Sequence, residues 1–282
     1  MTKLVIREGT KQIDVYQYAN DQNITELVIA DTVVKIGDGA FYGCTNLKKI
    51  TWGTHVHYIG RDAFHGCASL RSLNFLGSIE WVGARAFASC SSLTYVEFED
   101  NDDVDIECGA FANCTGLIFA ILPNGMKHIY WETFGRCTGL TDVFIPGTVT
   151  SIGPNAFFGV ATEQIDLPDS VESIGSFAFS YTKLTNLVIP DSVLTIGSSA
   201  FWSCDNLTSV DVGKSVVCIE NVAFEHCPML NEVTFRSTII GSIGLFVFNG
   251  CKSLKRINVP MSAMDTYKRL LPKYLHRKLV AF

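Results

Sequence analysis

The amino-acid sequence predicts a repeat solenoid, an architecture of the α/β class that is rich in β-strand and in which short coils of chain stack on one another. Three observations support this fold class. The motif Ile-Gly-x-x-Ala-Phe recurs along the chain, its phenylalanines are separated by 22, 23 or 24 residues, and the segment after each motif alternates apolar and polar residues. Self-similarity at one fixed period indicates a repeat architecture, because a single coil cannot bury its own apolar face and needs neighbouring coils to do so.

Each repeat has the same internal order. The motif phenylalanines are Phe41, Phe64, Phe87, Phe111, Phe134, Phe157, Phe179, Phe201, Phe224 and Phe248. In most repeats a Cys follows three residues later and a Leu six residues later. An alternation such as Leu140-x-x-Val143-x-Ile145 then predicts a short strand with one buried face. A Val-x-x-Ile segment predicts a second short extended piece. The period lies in the range of leucine-rich repeats, so we expect a right-handed leucine-rich-repeat solenoid of about ten 22–24-residue coils with a parallel sheet.

The two ends of such a solenoid need covering, because each would otherwise expose an apolar cross-section and free strand edges. We assign residues 1–23 to an N-terminal hairpin cap, in which Glu8-Gly9 separates two apolar segments. Residues 24–260 form the leucine-rich-repeat solenoid. Residues 261–282 form a C-terminal helical cap, because Met264, Tyr267 and Leu271 recur at helical spacing.

The repeat resembles the BspA-like, Treponema-type leucine-rich repeat over about residues 24–260. The pattern that carries the resemblance is Ala-Phe-x-x-Cys-x-x-Leu-x-x-Val-x-Ile-Pro-x-x-Val-x-x-Ile-Gly, which departs from the family where Val160 and Thr182 replace the Cys. The resemblance implies a scaffold for adhesion or protein recognition at the cell surface, or secreted, and it implies no catalytic residues and no cofactor.

Composition narrows the classes of partner. The net charge is −6, which gives no reason to expect nucleic-acid binding. No apolar run approaches the roughly 18 residues that a membrane-spanning helix needs. The first residues also lack the apolar core of a signal peptide, so a cytoplasmic location stays compatible with the sequence beside the surface location that the family implies.

The cysteines and histidines predict neither catalysis nor a metal site. Eight of the ten cysteines fall at the repeat position, where we expect a buried stack of reduced thiols. His65 lies near Cys67 and His226 precedes Cys227, but a nucleophilic Cys needs an exposed thiolate and these should point into the core. We therefore expect a protein that is not an enzyme.

An acidic stretch runs from Glu97 to Glu107. It holds seven acids, namely Glu97, Glu99, Asp100, Asp102, Asp103, Asp105 and Glu107. A solvated charged turn is the interpretation we favour. There are two alternatives. One is calcium binding, although the Gly and the closing Glu of an EF-hand loop are missing. The other is docking of a basic partner.

The outward positions of the predicted main strands yield a candidate partner-binding site. These positions carry Tyr95 and Glu97, then Phe119 and Ile121, then Asp142 and Phe144, followed by Gln164 and Asp166 on a predicted next strand. Most other repeats carry polar residues there. A contiguous exposed apolar patch with a polar rim is typical of an interaction site, although a cap or a neighbouring copy could also cover it.

Two functions follow from these observations. The first is a non-catalytic recognition or adhesion scaffold that binds a protein or peptide through the exposed sheet face. The second is a structural spacer or self-assembling rod in a surface assembly, in which the apolar patch would be buried by self-association.

Overall fold

Each repeat of the sequence forms a coil that contributes a two-residue strand to one sheet and, in all but one of the described coils, a longer strand to a main sheet. The computed structural model describes residues 2–75, 77–98 and 104–282. The chain divides into a first unit that ends at Thr148 and a second unit, Val149–Phe282. The predicted leucine-rich-repeat solenoid with parallel strands is confirmed in both units.

The first unit contains thirteen described strands, and the odd-numbered ones belong to the main face. They are β1 (Thr2–Val5), β2 (Gln12–Ile13), β3 (Ile24–Val28), β4 (Lys35–Ile36), β5 (Lys49–Thr51), β6 (Tyr58–Ile59), β7 (Ser72–Phe75), β8 (Trp81–Val82), β9 (Tyr95–Phe98), β10 (Asp105–Ile106), β11 (Phe119–Ile121), β12 (His128–Ile129) and β13 (Asp142–Phe144). The main face consists of the sheets β1-β3-β5 and β7-β9-β11-β13, and the second face is the sheet β2-β4-β6-β8-β10.

The second unit repeats this plan. Its strands are β14 (Ser151–Ile152), β15 (Ser173–Ile174), β16 (Asn186–Ile189), β17 (Thr195–Ile196), β18 (Ser209–Val212), β19 (Cys218–Ile219), β20 (Glu232–Phe235), β21 (Ser242–Ile243), β22 (Arg256–Val259) and β23 (Leu279–Ala281). The main sheet is β16-β18-β20-β22-β23, and the short strands β14, β15, β17, β19 and β21 form the other. The Val-x-x-Ile segments therefore form the short strands that the sequence predicted.

The core of each unit is built from ladders of identical side chains. From Phe41 to Phe134 in the first unit, and from Phe157 to Phe248 in the second, successive motif rings stack nearly parallel with centroids 5.1 to 5.8 Å apart. The repeat cysteines lie beside them. Each repeat thiol donates a hydrogen bond to a backbone carbonyl of the preceding coil, as Cys67 does to Phe41 at 3.4 Å and Cys227 to Phe201 at 3.2 Å. The Phe41 carbonyl also accepts the backbone N–H of Cys44 at 3.2 Å, so the thiol of the next coil gives it a second hydrogen bond.

Two left-handed residues bend each coil around its motif phenylalanine. They lie two positions before and two positions after the ring, as with Gly39 (φ +59°) and Gly43 (φ +68°) around Phe41. Glycine adopts this conformation without steric cost, yet Val222 (φ +54°) and His226 (φ +58°) hold it in a later coil. The stacking of neighbouring coils therefore imposes this backbone even on residues that disfavour it.

The N-terminal segment is a further coil, and the predicted hairpin is wrong. β1 pairs with β3 and β2 pairs with β4, both in parallel, rather than with each other. The ring of Tyr18 stacks on Phe41 at 5.3 Å, and Tyr18 lies between two left-handed residues as the motif phenylalanines do. Tyr18 therefore occupies the phenylalanine position of an eleventh coil, whose motif the tyrosine disguises.

The C-terminal segment contains the predicted helix and an additional strand. A 3₁₀ helix (Met261–Ala263) leads into α1 (Met264–Leu270), and a second 3₁₀ helix (Lys273–Lys278) precedes β23. Tyr267 is fully buried, stacks on Phe235 at 5.1 Å and donates a hydrogen bond to the carbonyl of Ser237 at 2.9 Å. β23 pairs in parallel with β22, so the segment also covers the edge of the main sheet.

One predicted strand is absent from the described residues. Residues 161–168 of the second unit have no strand, although Gln164 and Asp166 are exposed as expected. This coil is one residue shorter than most, and Val160 replaces the Cys at its start. The Thr162 hydroxyl also donates a hydrogen bond to the carbonyl of Gln164, a local bond that competes with strand pairing.

Candidate partner-binding surface

Three adjacent strands of the first unit bring the six predicted site residues onto one face. β11 pairs in parallel with β9 on one side and with β13 on the other. The register aligns Tyr95, Phe119 and Asp142 in one row. It aligns Glu97, Ile121 and Phe144 in the next row. Neighbouring parallel strands lie about 4.8 Å apart, so the six side chains form a continuous surface.

Burial alternates along these strands as the predicted register requires. Val96 and Ala120 are fully buried, whereas Phe144 is 55% exposed. Tyr95, Glu97, Phe119 and Ile121 are partly exposed, and Asp142 is exposed. The outward orientation of the predicted site residues is thus confirmed. We call Tyr95, Phe119, Ile121 and Phe144 the apolar ridge.

The ridge is ordered internally at one end. The rings of Tyr95 and Phe119 stack at 5.7 Å, with their planes 7° apart. The Tyr95 hydroxyl donates a hydrogen bond to the Glu97 carboxylate at 2.7 Å, and this bond raises the pKa of the tyrosine. Because the two rings and the carboxylate hold one another in place, little side-chain freedom remains to be lost when a partner binds.

A basic hollow lies beside the ridge, and the sequence reasoning missed it. The hollow has a volume of about 610 Å³ and is lined by Lys48, Lys49, Ile50, Trp52, Arg71, Ser72 and Asn74. The ridge and the hollow are contiguous, because Ser72 is aligned with Tyr95 and Asn74 with Glu97. Among the residues that the structure describes, Lys48, Lys49 and Arg71 form no ion pair. The signal in the sequence was the pair Lys48-Lys49 followed 23 residues later by Arg71-Ser72.

The acidic stretch is only partly described. Glu99, Asp100, Asp102 and Asp103 lie outside the described residues, so calcium binding and docking of a basic partner stay as predicted alternatives. Glu107 is described, and its carboxylate accepts a hydrogen bond from the backbone N–H of Ala84 at 3.0 Å. Over residues 2–75, 77–98 and 104–282, no three His, Cys, Asp or Glu side chains are grouped so that they could hold a metal ion.

The eight repeat thiols lie in the core, whereas Cys108 and Cys218 are partly exposed. All ten cysteines are described, and each is a free thiol. Burial raises the pKa of Cys67 well above its ordinary value, and it raises the pKa of Cys44 to about 11. His65 lies 3.5 Å from Asp62, and its neighbour Cys67 faces the core. A buried thiol with a raised pKa carries very little of the thiolate that nucleophilic catalysis requires.

The repeats identify a family. The model of the BspA-type leucine-rich repeat region matches residues 11–141, 104–231 and 172–271. The chain therefore belongs to the BspA-type leucine-rich repeat family, a family of repeat scaffolds that is generally non-catalytic. No curated protein matches the chain.

Solved structures show the same fold. The pneumococcal vaccine antigen PcpA aligns over 98% of this chain and 72% of its own, with 19% identity and a TM-score of 0.64. A leucine-rich repeat protein of Treponema pallidum aligns over 56% of this chain and 75% of its own, with 28% identity and a TM-score of 0.52. A leucine-rich cell surface protein of Faecalibacterium prausnitzii aligns over 99% of this chain and 86% of its own, with 25% identity and a TM-score of 0.50.

None of the helices in the described part of the chain has the length and the apolar character that a membrane-spanning helix needs.

Proposed function

We propose that this protein is a non-catalytic recognition scaffold that binds a protein or peptide partner through the main sheet of its first unit. The observation that carries the proposal is the apolar ridge. Tyr95, Phe119, Ile121 and Phe144 point outward on three paired strands, and Phe144 is more than half exposed. Exposed aromatic groups within a polar rim are typical of the residues that dominate binding energy at interfaces.

The surroundings of the ridge define the chemistry of the partner. The basic hollow lies beside Ser72, which is aligned with Tyr95, and its cations Lys48, Lys49 and Arg71 form no ion pair among the described residues. A partner that offers apolar side chains to the ridge and carboxylates to the hollow would satisfy both. Complementary charge of this kind accelerates association and fixes the orientation of the bound segment.

The proposed place of action is the cell surface. Support comes from membership of the BspA-type family and from the likeness to the Faecalibacterium prausnitzii protein, which is described as a cell surface protein. Adhesion through the ridge would be the corresponding cellular role. Protease treatment of intact cells that produce the protein tests this placement, because a surface-exposed scaffold is digested while a cytoplasmic marker survives.

A selection experiment tests partner binding. A phage library of random 12-residue peptides is panned against the wild-type protein, and bound phage are challenged with the Phe119→Ala/Phe144→Ala double variant. We expect enrichment of peptides that combine aromatic or aliphatic residues with acidic ones. Their affinity for the double variant should fall at least about thirtyfold, since a hot-spot aromatic contributes about 2 kcal/mol or more.

Val188→Ala provides the matched control, because Val188 is 66% exposed on the main sheet of the second unit. Its affinity for the selected peptides should equal that of the wild type. Equal affinity of a folded Phe119→Ala/Phe144→Ala variant would contradict the proposal. Light scattering over a range of concentrations tests self-assembly: a dimer that Phe119→Asp dissociates would instead support the self-assembling rod.

A further inference from the structure

A second concave site lies on the other face of the first unit, where the short strands β4, β6 and β8 run side by side. It is a groove of about 460 Å³, within the size range of small-ligand sites. One wall is the row Lys35, Tyr58 and Trp81, which the register of the three strands aligns. Asp38 and Arg61 also line the groove.

The floor of the groove is backbone. Gly60 and Gly83 line it, and each must be glycine because a Cβ there would lie 2.7 Å from backbone atoms of the preceding coil. Stacking of the coils therefore creates a shallow channel without side chains. The channel ends where Glu107 replaces the glycine of the next coil, and the Glu107 carboxylate is fixed there by the N–H of Ala84.

The walls offer aromatic rings together with balanced charge. Tyr58 is 43% exposed and Trp81 is partly exposed, so both rings are accessible to a ligand. Lys35 and Arg61 supply two positive groups, and Asp38 and Glu107 supply two negative ones. The Nε atom of Arg61 also lies 3.4 Å from Asp62, a carboxylate outside the lining that pairs with Arg85. One oxygen of Asp38 accepts the backbone N–H of Arg61 at 2.9 Å. Each carboxylate thus has its position set by one backbone bond and keeps a second oxygen that can accept from a ligand.

The second unit provides an internal comparison. There Gly175 and Gly197 form the same floor, and Glu220 accepts the N–H of Ser198 at 2.9 Å just as Glu107 accepts that of Ala84. The wall positions, however, carry Ser173 and Thr195, which are aligned as Tyr58 and Trp81 are. The floor and the end wall are thus properties of the fold, whereas the aromatic wall is particular to the first unit.

We propose that the groove of Lys35, Tyr58, Trp81, Arg61, Asp38 and Glu107 binds a neutral carbohydrate. A pyranose ring presents an apolar C–H face, which packs against Tyr and Trp rings, and a rim of hydroxyls, which can donate to carboxylates and accept from cations. The two charges of each sign leave no net charge in the groove. A neutral polyhydroxylated ligand fits this balance better than an anion or a cation.

Saturation-transfer NMR tests the proposal with defined probes. The probes are the methyl β-glycosides of glucose, galactose and N-acetylglucosamine and the β-1,4-linked tetramers of glucose and N-acetylglucosamine. We expect saturation of protein resonances to reach the ring protons of at least one probe. Tyr58→Ala and Trp81→Ala should each weaken that binding, and the double variant should weaken it at least about tenfold.

Two controls separate loss of the wall from loss of the fold. Trp131→Ala removes another exposed tryptophan of the first unit, 46% exposed and outside the groove, and should leave the transfer unchanged. Trp81→Phe keeps an aromatic ring and should bind more tightly than Trp81→Ala at an equal melting temperature. The proposal is overturned if no probe receives saturation from the wild type, or if the transfer survives in the folded double variant.

Discussion

The main sheets of the two units cover equivalent cores, but their outward-facing residues differ. In the second unit the outward polar groups bind one another: Arg236 donates to Asp211 at 2.7 Å, Ser209 to Asn186 at 2.7 Å, and Asn258 to Glu232 at 2.7 Å. In the first unit the corresponding face presents the apolar ridge and the unpaired cations of the basic hollow. A surface whose polar groups already satisfy one another offers little to a partner, whereas the first unit leaves both apolar area and charge available.

The faces formed by the short strands differ in the same way, with aromatic residues in the first unit and polar residues in the second. The first unit carries Tyr58 and Trp81 where the second carries Ser173 and Thr195, above equivalent glycine floors. At the positions compared on these two faces, the first unit thus carries aromatic side chains where the second carries polar ones. The repeat fixes which positions point outward, and the residues at those positions decide whether a face recognises anything.

The largest effect that we expect comes from the C-terminal segment, which belongs to the second unit alone. Deletion of residues 262–282 removes the buried side chains of Tyr267, Leu271 and Leu275 and leaves the outer edge of β22 without its partner strand. At about 25 cal/mol per Å² over several hundred Å², the loss is at most about 5–10 kcal/mol. The truncated protein should aggregate in size-exclusion chromatography. A monomer with an unchanged melting temperature would show that the segment is not a cap.

The next largest effects are expected from matched core substitutions, which test whether the cores of the two units are packed equally well. Phe87 stacks between Phe64 and Phe111, and Phe201 between Phe179 and Phe224, at 5.1 to 5.8 Å. Phe87→Ala and Phe201→Ala should each lower the free energy of unfolding by about 3–5 kcal/mol, measured by chemical denaturation. If one substitution costs far less than the other, the units differ in packing as well as in surface.

The smallest effects are expected from removing single cations, one that forms an ion pair and one that does not. Arg236→Ala removes an exposed ion pair with Asp211 and should reduce the free energy of unfolding by no more than about 1 kcal/mol, with no change in peptide affinity. Lys49→Ala removes an unpaired cation, so stability should be unchanged while the affinity for acidic peptides falls and becomes less sensitive to salt. Chemical denaturation measures the free energy of unfolding, and titration calorimetry at two ionic strengths measures the peptide affinity and its sensitivity to salt. The reverse pattern would move recognition to the second unit.

The period and the core could be predicted from the sequence because stacking repeats the same physical demand in every coil. The motif phenylalanines and the outward position of Phe144 followed directly from it. The first coil was missed because Tyr18 replaces the phenylalanine and Glu8-Gly9 resembles a hairpin turn. β23 was missed because a strand that follows a helix and pairs only at a sheet edge leaves no repeat signature.

The candidate sites were predicted only in part. The apolar ridge could be predicted as an outward-facing cluster because its residues are aromatic or aliphatic where most repeats are polar, and its role in binding stays a prediction. The basic hollow and the groove were missed because Lys48 and Arg71 lie just before the main strands and Tyr58 and Trp81 lie on the short strands, so none of them is at an outward position of a main strand. Comparison of equivalent positions from coil to coil, outside the main strands, would have shown the aromatic pair. The shapes of the basic hollow and of the groove also depend on the backbone of the stacked coils, which no single sequence position encodes.

Photo-crosslinking shows directly whether a bound peptide lies on the apolar ridge. A peptide from the selection, carrying a benzophenone side chain, is irradiated with the wild-type protein, and the attachment sites are mapped by mass spectrometry. We expect crosslinks at Tyr95, Phe119, Ile121 and Phe144, with acidic ends of the peptide near Lys48 and Lys49. Crosslinks concentrated on the outward residues of β16, β18 and β20 would contradict this expectation.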